Sequence, residues 1–158
     1  MFTGVQLSSR MAELCRRTYS EVHLGRLENV ILELRESSFT FDQTVSFFAL
    51  AFVDPHSFPL ILESMFAMAL HAVTICVNAI TPEYNVKMDE VDGNIGDLFD
   101  HTKVIDEYEL PAGWRMVGKQ RTHSWTSPLT GVQVYRDTIR YERSVCEIES
   151  QAKLAIET

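Results

Sequence analysis

The sequence predicts an α+β fold, with a helical N-terminal half packed on a small antiparallel β-meander and a C-terminal helix. Three observations predict this class. Apolar residues recur at three- and four-residue intervals as far as residue 36, and no formal charge occurs between Ser64 and Ile80. β-Branched and aromatic residues concentrate after residue 113. We therefore expect a single domain with a helical part (8–81), an acidic connector (82–109) and a meander with its terminal helix (110–158).

The first predicted helix spans Ser9 to Glu36, with charges of both signs on its polar face. Gly25 is a place where it could bend or divide, and Ser37 follows its end. A second helix is expected to begin at Thr40-Phe41-Asp42-Gln43, which has the capping-box pattern, and to stop at Asp54-Pro55.

The third predicted helix runs from residue 58 to 80, with Ser57 as its cap and Pro59 in its first turn. Its apolar character is typical of a core helix or of a membrane span. Glu63, His71, Asn78 and the absence of basic flanks favour the core. The small residues of this segment would share one helical face, which either packs within the chain or contacts a second copy. These candidate interface residues are Ala69, Ala72, Cys76 and Ala79.

Residues 83–109 are expected to form an irregular acidic connector, in which residues 95–101 could form a short helical turn. Beyond it, we expect three antiparallel strands, over 114–119, 122–126 and 131–142. The segment 132–143 is also compatible with a helix. Ser144 and Glu147 form a second capping-box pattern, which predicts a final helix at about 145–156.

Two short stretches of this region resemble the WW domain, a three-stranded sheet that binds proline-rich ligands. Leu110-Pro111-Ala112-Gly113-Trp114 resembles its opening, and Trp125-Thr126-Ser127-Pro128 resembles its closing W-x-x-P. Trp114 and Trp125 are 11 residues apart in this sequence, whereas a WW domain separates its tryptophans by a little over twenty. Only one hairpin fits between them, so the tryptophans are interpreted as anchors of a sheet.

The charge distribution and cysteine content limit the possible partners. The formal net charge is −8, which disfavours general binding to nucleic acid or anionic membranes. The connector is strongly acidic, whereas residues 110–145 are basic, so the two segments are expected to attract each other. Cys15, Cys76 and Cys146 are distant from one another, which is typical of free thiols in a reducing compartment. No signal peptide is recognisable, and we expect a cytoplasmic protein.

The basic C-terminal region interleaves cations with aromatic rings, a combination that can bind a nucleotide or another anion. Arg136 and Arg140 would share a face in a strand or in a helix. The alternative is a solvated face of the sheet. The candidate ligand-binding residues are Trp114, Arg115, Arg121, His123, Trp125, Tyr135, Arg136 and Arg140.

Searches for catalytic and metal-binding patterns find none. The segment 88–100 fails the calcium-loop pattern, because Gly93 at the sixth position puts Met88 first and Phe99 twelfth. The histidines are scattered, and the sequence contains no G-x-S-x-G, P-loop or G-x-G-x-x-G motif. We therefore predict no catalytic residue, metal or cofactor.

The leading functional hypothesis is a non-catalytic interaction protein, a homo-oligomer that acts as adaptor, assembly factor or inhibitor of another protein. The second is a nucleotide- or anion-binding module. The third is a small enzyme with a dispersed site, in which His101 or His123 works with acids of the connector. Nucleic acid and membranes are not expected partners.

Overall fold

The computed structural model describes residues 3–6, 21–47, 49–80, 98–126 and 131–144, together with positions 10, 13, 16, 17 and 128. Two small strands come first, β1 (Thr3–Gln6) and β2 (Glu21–Leu24), which pair in parallel. The remaining elements are listed in chain order: α1 (Leu27–Glu36), β3 (Phe41–Phe47), a 3-10 turn (Ala49–Phe52), α2 (Phe58–Met68), β4 (Ala69–Ala79), α3 (Thr102–Glu107), β5 (Trp114–Thr126) and β6 (Gln133–Arg143).

A four-stranded mixed sheet has the strand order β3-β4-β6-β5. β3 and β4 are parallel, and the 3-10 turn and α2 form the crossover that a parallel pair requires. β6 pairs antiparallel with β4, and β5 with β6, so the last two strands form a long hairpin at one side of the sheet. β4 therefore lies inside the sheet with a neighbour on each side.

The main core lies between α1, α2 and one face of this sheet. Val30, Ile31 and Leu34 of α1 are buried against the buried face of α2. Phe66 is the centre of an aromatic cluster, with ring centroids 5.5 Å from Tyr108, 5.1 Å from Trp114 and 5.2 Å from Tyr141. Burial raises the pKa of Tyr141 to about 12, so this phenol stays neutral within the core.

The predicted helical N-terminal half is wrong. β2 occupies part of the expected first helix, and α1 begins only at Leu27, after Gly25. α1 does end at Glu36, with Ser37 as its C-cap. The expected second helix is instead β3 followed by the 3-10 turn, because β-branched Thr44 and Val45 suit a strand and the capping-box pattern is not used.

The expected third helix is correct only in its first half. α2 begins after Ser57 with Pro59 in its first turn, but Ser57 makes no side-chain capping bond. From Ala69 the chain is the strand β4, so the helical face predicted for Ala69, Ala72, Cys76 and Ala79 does not exist. Ala72 and Cys76 lie on one face of the sheet, whereas Ala69 is buried in the main core on the other.

No helix among the described residues is long and apolar enough to cross a membrane.

The C-terminal meander has two strands where three were predicted. The first two expected strands are one continuous strand, β5, and Gly118 lies inside it beside a register shift. The ambiguous segment 132–143 is a strand, β6. The predicted terminal helix at 145–156 and most of the acidic connector, 81–97, lie outside the described residues. One contact of the expected kind joins the connector to the basic region, since Lys119 Nζ is 2.5 Å from Asp106 Oδ1.

Candidate functional site

The parallel strands β3 and β4 end at the same edge of the sheet, which is where open α/β sheets bind their ligands. β3 ends at Phe47 and leads through the 3-10 turn to Asp54 and then to α2. β2 ends at Leu24 and leads within two residues to α1. The beginnings of α1 and α2 therefore stand near the carboxyl ends of strands.

A cavity of about 310 Å³ lies between the beginnings of these two helices. It is lined by Arg26, Glu28, Asn29, Asp54 and Ser57. Asp54 Oδ1 accepts a hydrogen bond of 2.8 Å from the backbone N–H of His56, which orients the carboxylate. Because a carboxylate has acceptor sites beyond one such bond, Asp54 retains the capacity to bind hydroxyl or ammonium groups. The cavity is thus polar and carries charges of both signs.

His101 fixes the loop that leads to this cavity. The side chain is 1% exposed, and its Nε2 lies 2.9 Å from the carbonyl oxygen of Val53. Its ring stacks on Phe58, with centroids 3.9 Å apart and planes within 2° of parallel. Burial lowers the pKa of His101 below its ordinary value, which favours the neutral ring donating from Nε2 to Val53. This histidine makes structural contacts, and its contacts do not resemble those of a catalytic base.

Large apolar rings are exposed around the same edge. Phe47 at the end of β3 is 67% exposed, and Phe52 of the 3-10 turn is 58% exposed. Tyr135 lies opposite Ala79 at the end of β4 and packs edge-to-face against His123, with centroids 5.9 Å apart. None of these three rings lines the cavity, and exposed rings at this edge of the sheet are suited to contact with a planar or apolar ligand.

The eight ligand-binding residues predicted from the sequence do not converge on one place. Trp114 is buried in the core, with the Arg143 guanidinium 5.0 Å from its ring. Arg121 forms two hydrogen bonds of 2.6 Å with the fully buried carboxylate of Asp137.

The other predicted residues are spread over the hairpin. Trp125 and the pair of His123 with Tyr135 lie toward the far end of β5 and the start of β6, and Arg115 is exposed near the start of β5. Arg136 and Arg140 share the sheet face that looks away from α2, and Arg140 Nε donates to Glu142 Oε1 at 3.0 Å.

The cavity residues were missed by the sequence argument. Asp54-Pro55 was interpreted as the stop of a helix, although a carboxylate directly after an apolar β-branched segment is also typical of the loop that follows a parallel strand. No comparable signal distinguishes Arg26, Glu28 or Asn29, whose position depends on the packing of α1 against α2. Among the described residues, no group of three or more His, Cys, Asp or Glu side chains is arranged to hold a metal ion.

Solved structures similar to this chain include known methyltransferases. Magnesium protoporphyrin IX methyltransferase from Synechocystis PCC 6803, solved with bound SAH, matches with a TM-score of 0.60 and 11% identity. The match covers 90% of this chain and 63% of that chain. A SAM-dependent methyltransferase from Methanosarcina mazei has a TM-score of 0.54 and 14% identity, covering 90% and 81%. A structure described for disulfide-to-thioacetal conversion in echinomycin biosynthesis has a TM-score of 0.59 and 13% identity, covering 99% and 72%.

These likenesses show that the chain has the fold seen in structures of SAM-dependent methyltransferases. The match covers 63% of the length of the magnesium protoporphyrin IX enzyme. No family model and no curated protein matches the sequence. The prediction of a non-catalytic adaptor that forms homo-oligomers through long helices is wrong. The described helices are short, and the similar structures are those of methyltransferases.

Proposed function

We propose that the chain belongs to an enzyme that transfers a methyl group from S-adenosylmethionine to a small molecule. The observation that carries the proposal is the shared fold, which places a polar cavity beyond the carboxyl ends of its strands. Because fold alone does not determine function, the proposal depends on that cavity and on its lining. The hypothesis of a small enzyme with a dispersed site is nearest to this proposal, but His101, His123 and the connector acids that it named do not line the cavity. The residues of the cavity come from the beginning of α1 and the loop before α2.

The residues of the cavity suit the polar groups of S-adenosylmethionine. Its ribose hydroxyls and ammonium group are donors, and the carboxylates of Glu28 and Asp54 are acceptors. Its own carboxylate is an acceptor, for which Arg26 supplies donors. The volume of about 310 Å³ lies at the lower end of the range of about 300–1,000 Å³ for small-molecule sites.

When bound, S-adenosylmethionine supplies an electrophilic methyl group, so the protein need only bind and orient the two reactants. Asp54 and Glu28 would hold the donor by hydrogen bonds to its ribose hydroxyls or ammonium group. His101 keeps the loop of Asp54 in place through its bond to Val53. Positioning of this kind supplies a large share of the rate enhancement in group transfer.

The proposal is tested by isothermal titration calorimetry with S-adenosylhomocysteine. We expect saturable binding by the unaltered chain and a loss of affinity of at least about tenfold, or 1.4 kcal/mol, in Asp54→Asn and in Glu28→Gln. Glu36→Gln is the matched control, because Glu36 is exposed at the opposite end of α1.

Two results would contradict the proposal. One is the absence of binding heat at millimolar S-adenosylhomocysteine from a folded sample. The other is an equal affinity in the Asp54 and Glu28 variants and in the control. The second result would place any binding elsewhere on the chain.

A further inference from the structure

A strip of exposed apolar side chains runs along the chain from β3 into the 3-10 turn. Val45 and Phe47 lie on one face of β3 and are 44% and 67% exposed. Ala49 and Phe52 of the 3-10 turn are also exposed, Phe52 to 58%. Side chains three residues apart in a 3-10 helix eclipse one another, so Ala49 and Phe52 stand side by side. These four residues are called the apolar strip.

The apolar strip lies beside the cavity without contributing to its lining. Phe47 is at the carboxyl end of β3, which is the edge where open α/β sheets bind their ligands. Phe52 precedes Asp54 by two residues, and Asp54 lines the cavity. The strip is therefore placed to bind a second molecule next to one that is bound in the cavity.

The turn that carries Phe52 is fixed on both sides of this ring. The carbonyl oxygen of Ala51 accepts a hydrogen bond of 2.9 Å from the backbone N–H of Phe99. The carbonyl oxygen of Val53 lies 2.9 Å from His101 Nε2. Ala51 and Val53 are both buried, so the backbone on either side of Phe52 is anchored in the protein. Phe52 cannot turn inward without breaking these contacts, and its ring is held in solvent.

The apolar strip carries no charge, which limits the ligands that match it. No formal charge occurs in the sequence between Asp42 and Asp54. Contiguous exposed apolar patches mark binding sites, whereas single exposed apolar residues are normal on a protein surface. Phenylalanine rings pair favourably with other aromatic rings in offset-stacked or edge-to-face arrangements. A ligand with a flat aromatic part is therefore the chemical class that matches the two exposed rings of the strip.

We propose that the apolar strip binds an aromatic part of the methyl-accepting substrate, with Phe47 and Phe52 in contact with its ring. The role of this ligand as methyl acceptor rests on the proposed function, in which the donor occupies the cavity beside the strip. The substrate class is then an aromatic compound whose reacting atom faces the cavity. The binding of an aromatic ring by the strip does not itself depend on methyl transfer.

The test is an NMR titration with phenol, with cyclohexanol as the saturated probe of the same size. We expect saturable shifts of the backbone amide signals of Ala49 and Phe52 with phenol, and a weaker response to cyclohexanol. Phe52→Ser should raise the dissociation constant for phenol roughly three- to tenfold, because it removes one aromatic contact. Leu70→Thr is the control, since Leu70 is 38% exposed near the amino end of β4 and should leave the affinity unchanged.

Each variant is first checked for folding by its ¹⁵N–¹H spectrum, and Phe47→Thr provides a second variant of the strip. Equal affinities for phenol and cyclohexanol, an unchanged affinity in Phe52→Ser and Phe47→Thr, or no saturable shift would each overturn the inference. Shifts confined to other parts of the sheet would overturn it as well. The same holds if phenol fails to bind because copies of the chain associate through the strip.

Calorimetric titration of S-adenosylhomocysteine into the same samples separates the two proposals. Phe52→Ser should keep the affinity of the unaltered chain for S-adenosylhomocysteine, because Phe52 does not line the cavity. Binding of S-adenosylhomocysteine without phenol refutes the aromatic site alone. Binding of phenol without S-adenosylhomocysteine supports the aromatic site and refutes methyl transfer.

Discussion

Phe66 illustrates how one side chain joins the helical layer to the sheet. It is 1% exposed, and three aromatic rings from other parts of the chain lie within 5.5 Å of its centroid. Aromatic pairs contribute about 0.5–1.5 kcal/mol beyond the burial of their area. Loss of this ring therefore removes both a large apolar volume and several specific contacts.

We expect Phe66→Ala to lower the free energy of unfolding by about 3–5 kcal/mol, because it leaves a cavity that the surrounding rings cannot fill. Urea denaturation followed by circular dichroism measures the change. Leu60→Ala is the matched control on the same helix, since Leu60 is 41% exposed and should change stability by about 0.5 kcal/mol or less. Similar losses in the two variants would show that the core does not centre on Phe66.

His101 makes stability depend on pH in a defined direction. Burial lowers its pKa in the folded state from the ordinary value of 6.5, so the unfolded state binds the proton more readily. The contribution of the neutral ring is fully present above pH 6.5 and is lost as the pH falls through the lowered folded-state pKa.

We therefore expect the free energy of unfolding to decline below pH 6.5 in the unaltered chain, and to decline less in His101→Gln. Urea denaturation series over roughly pH 4.5–8 measure the difference between the two free energies of unfolding. This range extends roughly two units to either side of the ordinary pKa of histidine. His56→Gln serves as the control, because His56 is exposed and should keep the pH dependence of the unaltered chain. If His101→Gln left the pH profile of stability unchanged, His101 would not be the cause of the pH dependence.

Helix ends are easier to predict from this sequence than buried strands. α2 was predicted because Ser57 and Pro59 mark its beginning, and Ser37 marks the end of α1. β4 was mistaken for a continuation of α2, because it is buried on both faces and shows no alternation of polar and apolar residues. Periodicity cannot separate such a strand from a core helix, and its β-branched residues Val73, Thr74 and Ile75 were the available signal.

The candidate sites were harder to predict than the elements. Arg26 and Asp54 are 28 positions apart in the sequence and line one cavity only because the beginnings of α1 and α2 lie close together. Charged residues such as Glu28 are common on helix surfaces, so their type carries no signal until the packing of the two helices is known.

Gly118 offers a test of the uninterrupted strand β5. A Cβ built at this glycine meets no atom within 4 Å, and its φ does not lie in the left-handed region. We expect Gly118→Thr to stabilise the protein by about 0.5–1 kcal/mol, because a β-branched residue loses less backbone freedom and suits a strand.

Gly131→Thr provides the contrast to that substitution. Gly131 has a φ of 70°, which disfavours a β-branched side chain, so this variant should be destabilised by about 1 kcal/mol or more. Thermal unfolding measures both. Destabilisation by Gly118→Thr would argue against an uninterrupted strand at this position.

The chain as a whole combines a methyltransferase fold with a net charge of −8. A ligand that binds only the folded state stabilises it by about 2.7 kcal/mol at a hundred times its dissociation constant. For a domain of this size, 1 kcal/mol corresponds to about 2–4 °C in Tm.

We therefore expect saturating S-adenosylhomocysteine to raise the Tm of the unaltered chain by roughly 5–10 °C. The same concentration should raise that of Asp54→Asn by less. Differential scanning fluorimetry measures both shifts, with Glu36→Gln as the variant that should behave like the unaltered chain. Equal shifts in all three would place the ligand outside the cavity.

The order β3-β4-β6-β5 gives the sheet two unlike borders. β5 carries Arg115, Lys119 and Arg121, and charges on a border strand hinder pairing with a foreign strand. β3 presents Val45 and Phe47, which are 44% and 67% exposed, and of the described strands only β4 pairs with it. The β3 border is therefore where we expect aggregation to begin in concentrated samples. The substitution Val45→Lys should delay this aggregation. The strand that leads to the cavity is therefore also the strand that limits the protein concentration a sample can reach.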